Sequence, residues 1–196
     1  MGLWDAIVPG TWNGVVEDRL ADGTPAPGAN DAGVMEWIEA NLGSFPAPLD
    51  YVTYTTCPSV HAADDRSVME TNEALPYQTG STRAFMGNAI GLRIGPSQLG
   101  CRENAYGKST TPNPGGDARV CLSVVDPRQR GLFNAAWMLT YAAACARDGL
   151  EVLAFGAPTG PFGHIHRRLD YPQPYFDGLA QPAIYPGFHV VAGLAA

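Results

Sequence analysis

Strand-like and helix-like hydrophobic runs alternate along this chain, most clearly in its second half. Residues 132–145 are apolar on every face, with Ala at five of the fourteen positions, which predicts a long helix buried on most sides. Gly149 follows as a helix-ending residue, and the apolar run 151–157 after it has strand length. Because this run is apolar throughout rather than at alternate positions, it predicts a strand covered on both faces, as in a parallel sheet.

The same alternation recurs along the whole sequence. Strand candidates lie at 3–8, 49–56, 89–95 and 151–157, and helix candidates lie at 31–42, from about 64 to 75, at 132–145 and from 188 onward. Four strands and four helices in alternation predict an α/β fold with a parallel sheet. Four βα units are half of a (β/α)8 barrel. We therefore expect residues 1–196 to form one partial TIM-barrel domain, a fragment that is the C-terminal half-barrel with long βα loops.

An open sheet of this kind predicts a protein partner. Four strands that stand alone leave two unpaired edges, which proteins normally cover. A homodimer, or a complementary half-barrel chain, would supply the missing strands.

Composition narrows the classes of protein. An apolar content of 45% with 16% charged residues fits a soluble globular protein. The net charge of −7, without a basic cluster, argues against nucleic acid and anionic membranes as partners. The chain start lacks a secretory signal, and no apolar run reaches membrane-spanning length. The cysteines show no CxxC spacing, and Cys121 and Cys145 lie in apolar runs, which indicates reduced thiols in a cytoplasmic protein.

Polar side chains gather directly after each strand candidate, at the end where parallel α/β folds build their sites. They are Trp12, Asn13 and Glu17 after the first; His61, Asp64 and Asp65 after the second; Gln98, Arg102, Glu103, Asn104 and Tyr106 after the third; and Thr159, His164 and His166 after the fourth. Carboxylates and amides bind pairs of hydroxyl groups, and aromatic faces stack on C–H faces. The mixture therefore favours a sugar or polyol ligand.

Several of these residues have a structural alternative. Glu17 is either a solvated charge or an acid, base or nucleophile. His61 orients a carboxylate, accepts a substrate proton or caps the neighbouring helix. Asp64 and Asp65 favour N-caps over catalysis. Arg102 is either a ligand-binding cation or half of an ion pair that holds its loop.

Other patterns indicate structure rather than chemistry. His164 and His166 alternate, so an extended loop points them to opposite sides, and no third ligand is spaced for a metal. Asp126 predicts an N-cap, with Pro127 at the first helical position. The sequence has no GxSxG elbow, phosphate-binding glycine loop or HExxH, so we expect neither a metal nor a cofactor.

Five long segments carry a resemblance to a known family. They are TYTTCPSVHAADDRSVMET, IGPSQLGCRENAYG, DPRQRGLFNAAWMLTYAA, GAPTGPFG and YPGFHVVAGLA. With them the chain, from about Val8 onward, resembles the C-terminal half of the D-apionate lactonase family. The resemblance implies a glycosidase-like TIM barrel that hydrolyses a sugar lactone to the open aldonic acid.

The family pattern carries over onto several loop residues. The family has a Thr-Glu-Leu-Asn-Arg run after a Gly-Thr pair, and Glu17 falls in register with its Glu, although Asp18-Arg19-Leu20 replaces the Leu-Asn-Arg. The second loop matches at Val60-His61-Ala62 and Asp65. The third loop matches at Arg102, Asn104, Tyr106 and Gly107.

These observations give one leading functional hypothesis and two alternatives. In the leading hypothesis Glu17 or His61 activates water, and the sugar is bound by Asn13, Asp65, Arg102, Asn104, Tyr106, Thr159 and His164. One alternative is a retaining glycoside hydrolase of the same barrel type, which needs two carboxylates about 5 Å apart. The other is a non-catalytic half-barrel that binds a sugar and needs a partner chain.

Overall fold

A computed structural model describes residues 51–86, 91–104, 108–147 and 149–196. Within these ranges the chain forms an α/β fold around a sheet of three parallel strands, which is not closed into a barrel. The strands are β1 (Tyr51–Tyr54), β2 (Gly91–Ser97) and β3 (Val152–Phe155), in the order β1-β2-β3. The predicted strand 3–8 and helix 31–42 lie outside the described residues, as do Asn13, Glu17 and Tyr106.

Helices cover one face of this sheet. They are α1 (Asp65–Glu70), α2 (Leu75–Met86), α3 (Leu132–Cys145) and α4 (Pro186–Leu194), with 3-10 turns at Thr71–Ala74 and Pro127–Arg130. Helix α3 has the predicted bounds. The helical region after β1 runs well beyond residue 75, because Pro76 occupies the first turn of α2, where its missing N–H has no intrahelical partner to lose.

Two predicted caps are present. Asp64 caps α1, and its Oδ1 accepts a hydrogen bond from the Ser67 backbone N–H at 2.9 Å. Asp126 caps the turn Pro127–Arg130 in the same way, with Arg128 as donor. The turn that Asp126 caps is a separate 3-10 element, and α3 begins only after Gly131.

The hydrophobic core lies between the sheet and the helices. Its buried members are Val68, Leu75, Ile94, Leu99, Trp137, Met138, Tyr141, Cys145 and Val190.

The prediction that α3 is buried on most sides was wrong for the described part of the chain, where Leu132 is 78% and Leu139 52% exposed. Strand β3 likewise packs on one face, and Val152 on its other face is 45% exposed. The reason is that the described helices occupy only one side of the sheet.

Strands β2 and β3 approach each other closely at Gly95. Its backbone has φ +125°, and a Cβ at this position would overlap the carbonyl oxygen of Ala154. The register between the two strands shifts here, between Ile94 and Ser97. Glycine is the residue that tolerates both the positive φ and the close contact.

Two further properties concern the described ranges alone. None of their helices is long and apolar enough to cross a membrane. They also contain no group of three or more His, Cys, Asp or Glu side chains able to hold a metal ion.

Candidate functional site

The three strands end at one edge of the sheet, which we call the carboxyl edge. It comprises the residues directly after the strands, 55–59, 98–102 and 156–157. Long loops leave from this edge, and they carry the predicted site residues His61, Arg102, Asn104, Thr159 and His164, while Asp65 begins helix α1. In parallel α/β folds this is the edge where ligands bind.

Arg102 connects the ends of β2 and β3 at this edge. Its Nε donates a hydrogen bond to Gln98 Oε1 at 3.2 Å, and its Nη2 donates to the Gly156 carbonyl oxygen at 3.4 Å. Its guanidinium also stands over the Phe162 ring, 4.7 Å from the ring centroid. The residue is exposed, and the two bonds use two of the five guanidinium donors. Arg102 is therefore a positioned cation at the surface of the carboxyl edge.

Asp65 belongs to a cluster of charges beside the edge. Arg128 donates to Asp65 Oδ1 through Nη1 at 2.9 Å, and Arg119 Nη2 lies 3.2 Å from Asp65 Oδ2. Arg128 also donates two hydrogen bonds to Asp126, from Nε to Oδ1 at 3.0 Å and from Nη2 to Oδ2 at 2.6 Å. The carboxylate of Asp65 is thus engaged by two arginines, in a role that joins loops.

Burial sets the electrostatics of this cluster. Asp126 is 4% and Arg128 7% exposed. Burial acts to lower the pKa of Arg128, but the hydrogen bonds and negative charges of Asp126 and Asp65 outweigh it and raise that pKa above its ordinary value. Sequence reasoning missed Arg128, because its partner Asp65 is far away along the chain.

The remaining polar candidates in the loops occupy different settings. His61 is exposed in the loop between β1 and α1, and Thr159 is exposed just before Gly160. Asn104 donates from Nδ2 to the Ser109 carbonyl oxygen at 2.9 Å, which stabilises its own loop. Of these three residues, His61 has the chemistry of a general base.

His164 is buried rather than exposed to a ligand. It is 7% exposed, and its Nε2 lies 3.1 Å from the carbonyl oxygen of Phe155 at the end of β3. Because a carbonyl only accepts, Nε2 is the donor, and the neutral ring carries its proton there. Burial lowers the pKa of His164, and the bond to Phe155 opposes that change. The ring packs beneath Gly187 of α4, where a Cβ would approach Nδ1 to 3.0 Å.

His166 has a separate partner, as the alternation of the two histidines predicts. Its Nε2 lies 3.1 Å from Asp177 Oδ1, and its ring stacks on Phe176. The pKa of Asp177 is lowered, first by the backbone N–H of Gln173 and then by His166. The sequence offered no signal for Asp177, which lies in an irregular loop.

A triangle of hydroxyl groups ties the strand ends to α3. Thr56 Oγ1 donates to Ser97 Oγ at 3.2 Å and lies 2.8 Å from the Tyr141 hydroxyl oxygen, which is itself 3.1 Å from Ser97 Oγ. Burial raises the pKa of Tyr141 to about 12, and the hydrogen bonds to Ser97 and Thr56 oppose this rise. This hydroxyl triangle fixes the spacing of β1 and β2 on the helix side of the sheet.

Comparisons with known proteins add an independent line of evidence. The family model "D-apionate lactonase, TIM barrel domain" matches residues 43–196. The D-apionate lactonase of Brucella anthropi is 47% identical over 128 residues, which are 65% of this chain and 21% of that relative. The match therefore spans about a fifth of the relative's length. No solved structure gives a significant match.

Proposed function

Because the chain belongs to the D-apionate lactonase family, we propose that it hydrolyses a sugar lactone to the open aldonic acid. We propose further that its βα units form half of a (β/α)8 barrel, with the carboxyl edge as the site of the reaction. The observation that carries the proposal is Arg102, a cation held at that edge by Gln98 and Gly156.

The chemistry of lactone opening defines what the site must supply. Water adds to the ring carbonyl, a tetrahedral oxyanion forms, and the ring C–O bond then breaks to give a hydroxyl group and a carboxylate. A positioned guanidinium stabilises negative charge on the oxyanion and on the product carboxylate. Arg102 has that chemistry, and its guanidinium is positioned over the Phe162 ring.

The proposed base is His61 or Glu17. His61 is exposed in the loop that follows β1, beside the carboxyl edge. A base must come within hydrogen-bond reach of the attacking water. Asn104 and Tyr106, from the same loop region as Arg102, are proposed to bind the sugar hydroxyls.

The barrel that this reaction requires needs further strands. The sheet face opposite the helices carries Arg93, stacked 3.9 Å over the Tyr51 ring and paired with Glu151 at 3.3 Å, and it also carries the exposed Val152. We propose that a second copy of the chain, or a complementary half-barrel chain, supplies the strands that extend this sheet.

The test is the release of acid from a panel of aldonolactones by the purified protein. We expect Arg102→Ala to lower kcat/KM by about 100-fold or more, the effect of removing one oxyanion donor. Arg119→Ala is the matched control, because it removes an exposed arginine of the neighbouring charge cluster and should leave kcat/KM unchanged. Equal rates for wild type and Arg102→Ala would overturn the role of Arg102. Turnover of an aryl glycoside instead of a lactone would overturn the proposed reaction.

A further inference from the structure

Two cysteines meet at the carboxyl edge, where the proposed reaction does not use them. Cys57 lies three residues after the end of β1, and Cys101 lies four residues after the end of β2. The two strands are neighbours in the sheet, and Cys57 Sγ lies 3.8 Å from the carbonyl oxygen of Leu99, which precedes Cys101 in the same loop. The loop that carries Cys57 is therefore in contact with the loop that carries Cys101.

The surroundings of both thiols are polar and shared. Cys57 Sγ lies 3.6 Å from Ser59 Oγ and 3.8 Å from the Leu99 carbonyl oxygen, which also accepts a bond from Ser59 Oγ at 2.9 Å. Cys101 Sγ lies 2.6 Å from the Glu103 carbonyl oxygen and also donates toward the Cys57 sulfur. The single proton of Cys101 therefore has two acceptors, one of which is the other cysteine.

The two thiols differ in access to solvent. Cys57 is half-buried, whereas Cys101 is 4% exposed. A reactive thiol that solvent can reach, beside a second thiol that it cannot, is the arrangement of a redox-sensitive pair with an attacking and a resolving cysteine.

We propose that Cys57 and Cys101 are a peroxide-sensitive dithiol that closes reversibly to a disulfide across the ends of β1 and β2. In the first step the Cys57 thiolate attacks hydrogen peroxide, so that an S–O bond forms, the O–O bond breaks and, with one proton taken up, water leaves. In the second step the Cys101 sulfur attacks the sulfenic acid of Cys57, so that the S–S bond forms and a second water leaves. Two thiols lose two electrons, and one peroxide is reduced to two waters.

The acidity of Cys57 supports this assignment of roles. The hydrogen bond from Cys101 lowers the pKa of Cys57 to about 7, although burial opposes it, and Ser59 adds to the lowering. The pKa of Cys101 is raised, because the Cys57 hydrogen bond and burial both favour its protonated form. Cys57 is thus the more acidic of the two thiols, about half of it thiolate at neutral pH, and it is the initial nucleophile.

A disulfide here would act directly on the proposed site. Cys101 precedes Arg102, and the bond would tie Arg102's loop to the loop that carries His61. The proposal itself does not depend on the lactonase activity, since it concerns only the chemistry of the two thiols.

The test uses the intact chain, treated with one equivalent of hydrogen peroxide, blocked with N-ethylmaleimide, digested and mapped by mass spectrometry. We expect a peptide cross-linked through Cys57 and Cys101, lost on treatment with dithiothreitol. Cys121, a half-buried thiol in the same preparation, is the internal control. Cys57 should react about tenfold faster than this control at neutral pH, because an ordinary cysteine is only a few per cent thiolate there. Its rate should rise as the pH increases through about 7.

Matched variants separate the two roles. In Cys101→Ser, oxidation by hydrogen peroxide should stop at a sulfenic acid on Cys57, which dimedone traps. Cys121→Ser should form the same disulfide as wild type. The proposal is overturned if wild-type Cys57 reacts no faster than Cys121, or if the disulfide maps to another pair. The wild-type mapping needs no substitution, so misfolding of a variant cannot decide the result.

Discussion

At the scale of single residues, Arg128 shows how a buried charge depends on its partners. Its guanidinium and the Asp126 carboxylate are almost fully buried, and each satisfies the other through two hydrogen bonds. The desolvation of two ions is costly, and only close pairing offsets it. Removal of one partner leaves the other charge buried and uncompensated.

Arg128→Leu should therefore lower the free energy of unfolding by about 3–5 kcal/mol. Its control is Arg119→Ala, since Arg119 pairs with the same Asp65 but is 51% exposed, and a pair of that kind contributes about 0–1 kcal/mol. Urea denaturation followed by Trp fluorescence measures both. Similar losses in the two variants would contradict the account of Arg128 as a buried, essential counter-ion.

His164 makes stability depend on pH. Burial lowers its pKa, so the folded chain takes up this proton at a lower pH than the unfolded chain, in which histidine titrates near 6.5. The unfolded state then binds more protons, and the free energy of unfolding falls as the pH drops through about 6.5 toward the lower folded pKa.

We expect wild type to lose stability between about pH 7.5 and about pH 5, and His164→Asn to lose less over the same interval. His189→Asn, a change at an exposed histidine of α4, is the control and should keep the wild-type pH dependence. The comparison uses urea midpoints at the two pH values, so a constant cost of either substitution cancels. If the stability of His164→Asn changes with pH as much as that of wild type, a group other than His164 controls this pH dependence.

At the scale of elements, β2 and β3 depend on one glycine. Gly95→Ala should cost about 2 kcal/mol or more, because the new Cβ meets the Ala154 carbonyl and the positive φ is strained for alanine. Gly80→Ala is the matched change, in helix α2 with nothing within 4 Å of the new Cβ, and should add about 0.5–1 kcal/mol. Thermal unfolding measures both changes, because the Tm should fall in Gly95→Ala and rise in Gly80→Ala. A neutral Gly95→Ala would refute the tight strand contact.

The elements differ in how well the sequence predicts them. Helix α3 was predicted to the residue, because a long apolar run and the turn after it define both ends locally. The strand predicted at 89–95 instead ends at Ser97, two residues later, because Ser97 pairs with Phe155 of β3. Strand ends depend on a partner that is distant in sequence, so composition alone does not place them.

The same distinction holds for the site. The position of Arg102 just after the end of β2 was predictable from the sequence, and its role in binding a ligand stays a prediction. The cluster of Asp65, Arg119 and Arg128 was not predictable, since Asp65 and Arg128 are 63 positions apart and only folding brings them together. His164 also followed a strand, but its ring packs into the protein, an outcome that depends on Gly187 of α4.

At the scale of the whole molecule, we propose that the open sheet of the described residues is completed by a second chain. The described part of the sheet has helices on one face and exposed Val152 on the other. We expect the purified chain to sediment as a dimer that closes the sheet, with well-packed Trp signals in near-UV circular dichroism. A well-packed monomer at all concentrations would contradict self-association and direct the search to a complementary half-barrel chain.

The hydroxyl triangle at the ends of β1 and β2 has one more consequence. Thr56 donates to Ser97, and if each hydroxyl gives its one hydrogen within the triangle, Ser97 donates to Tyr141 and Tyr141 to Thr56. Each of the three hydroxyl groups then donates one hydrogen bond and accepts one hydrogen bond within the triangle. Because such a ring is neutral, and Tyr141 ionises only at about pH 12, acid and moderate alkali leave it intact. The ends of β1 and β2 are thus joined by hydrogen bonds that do not depend on pH over this range.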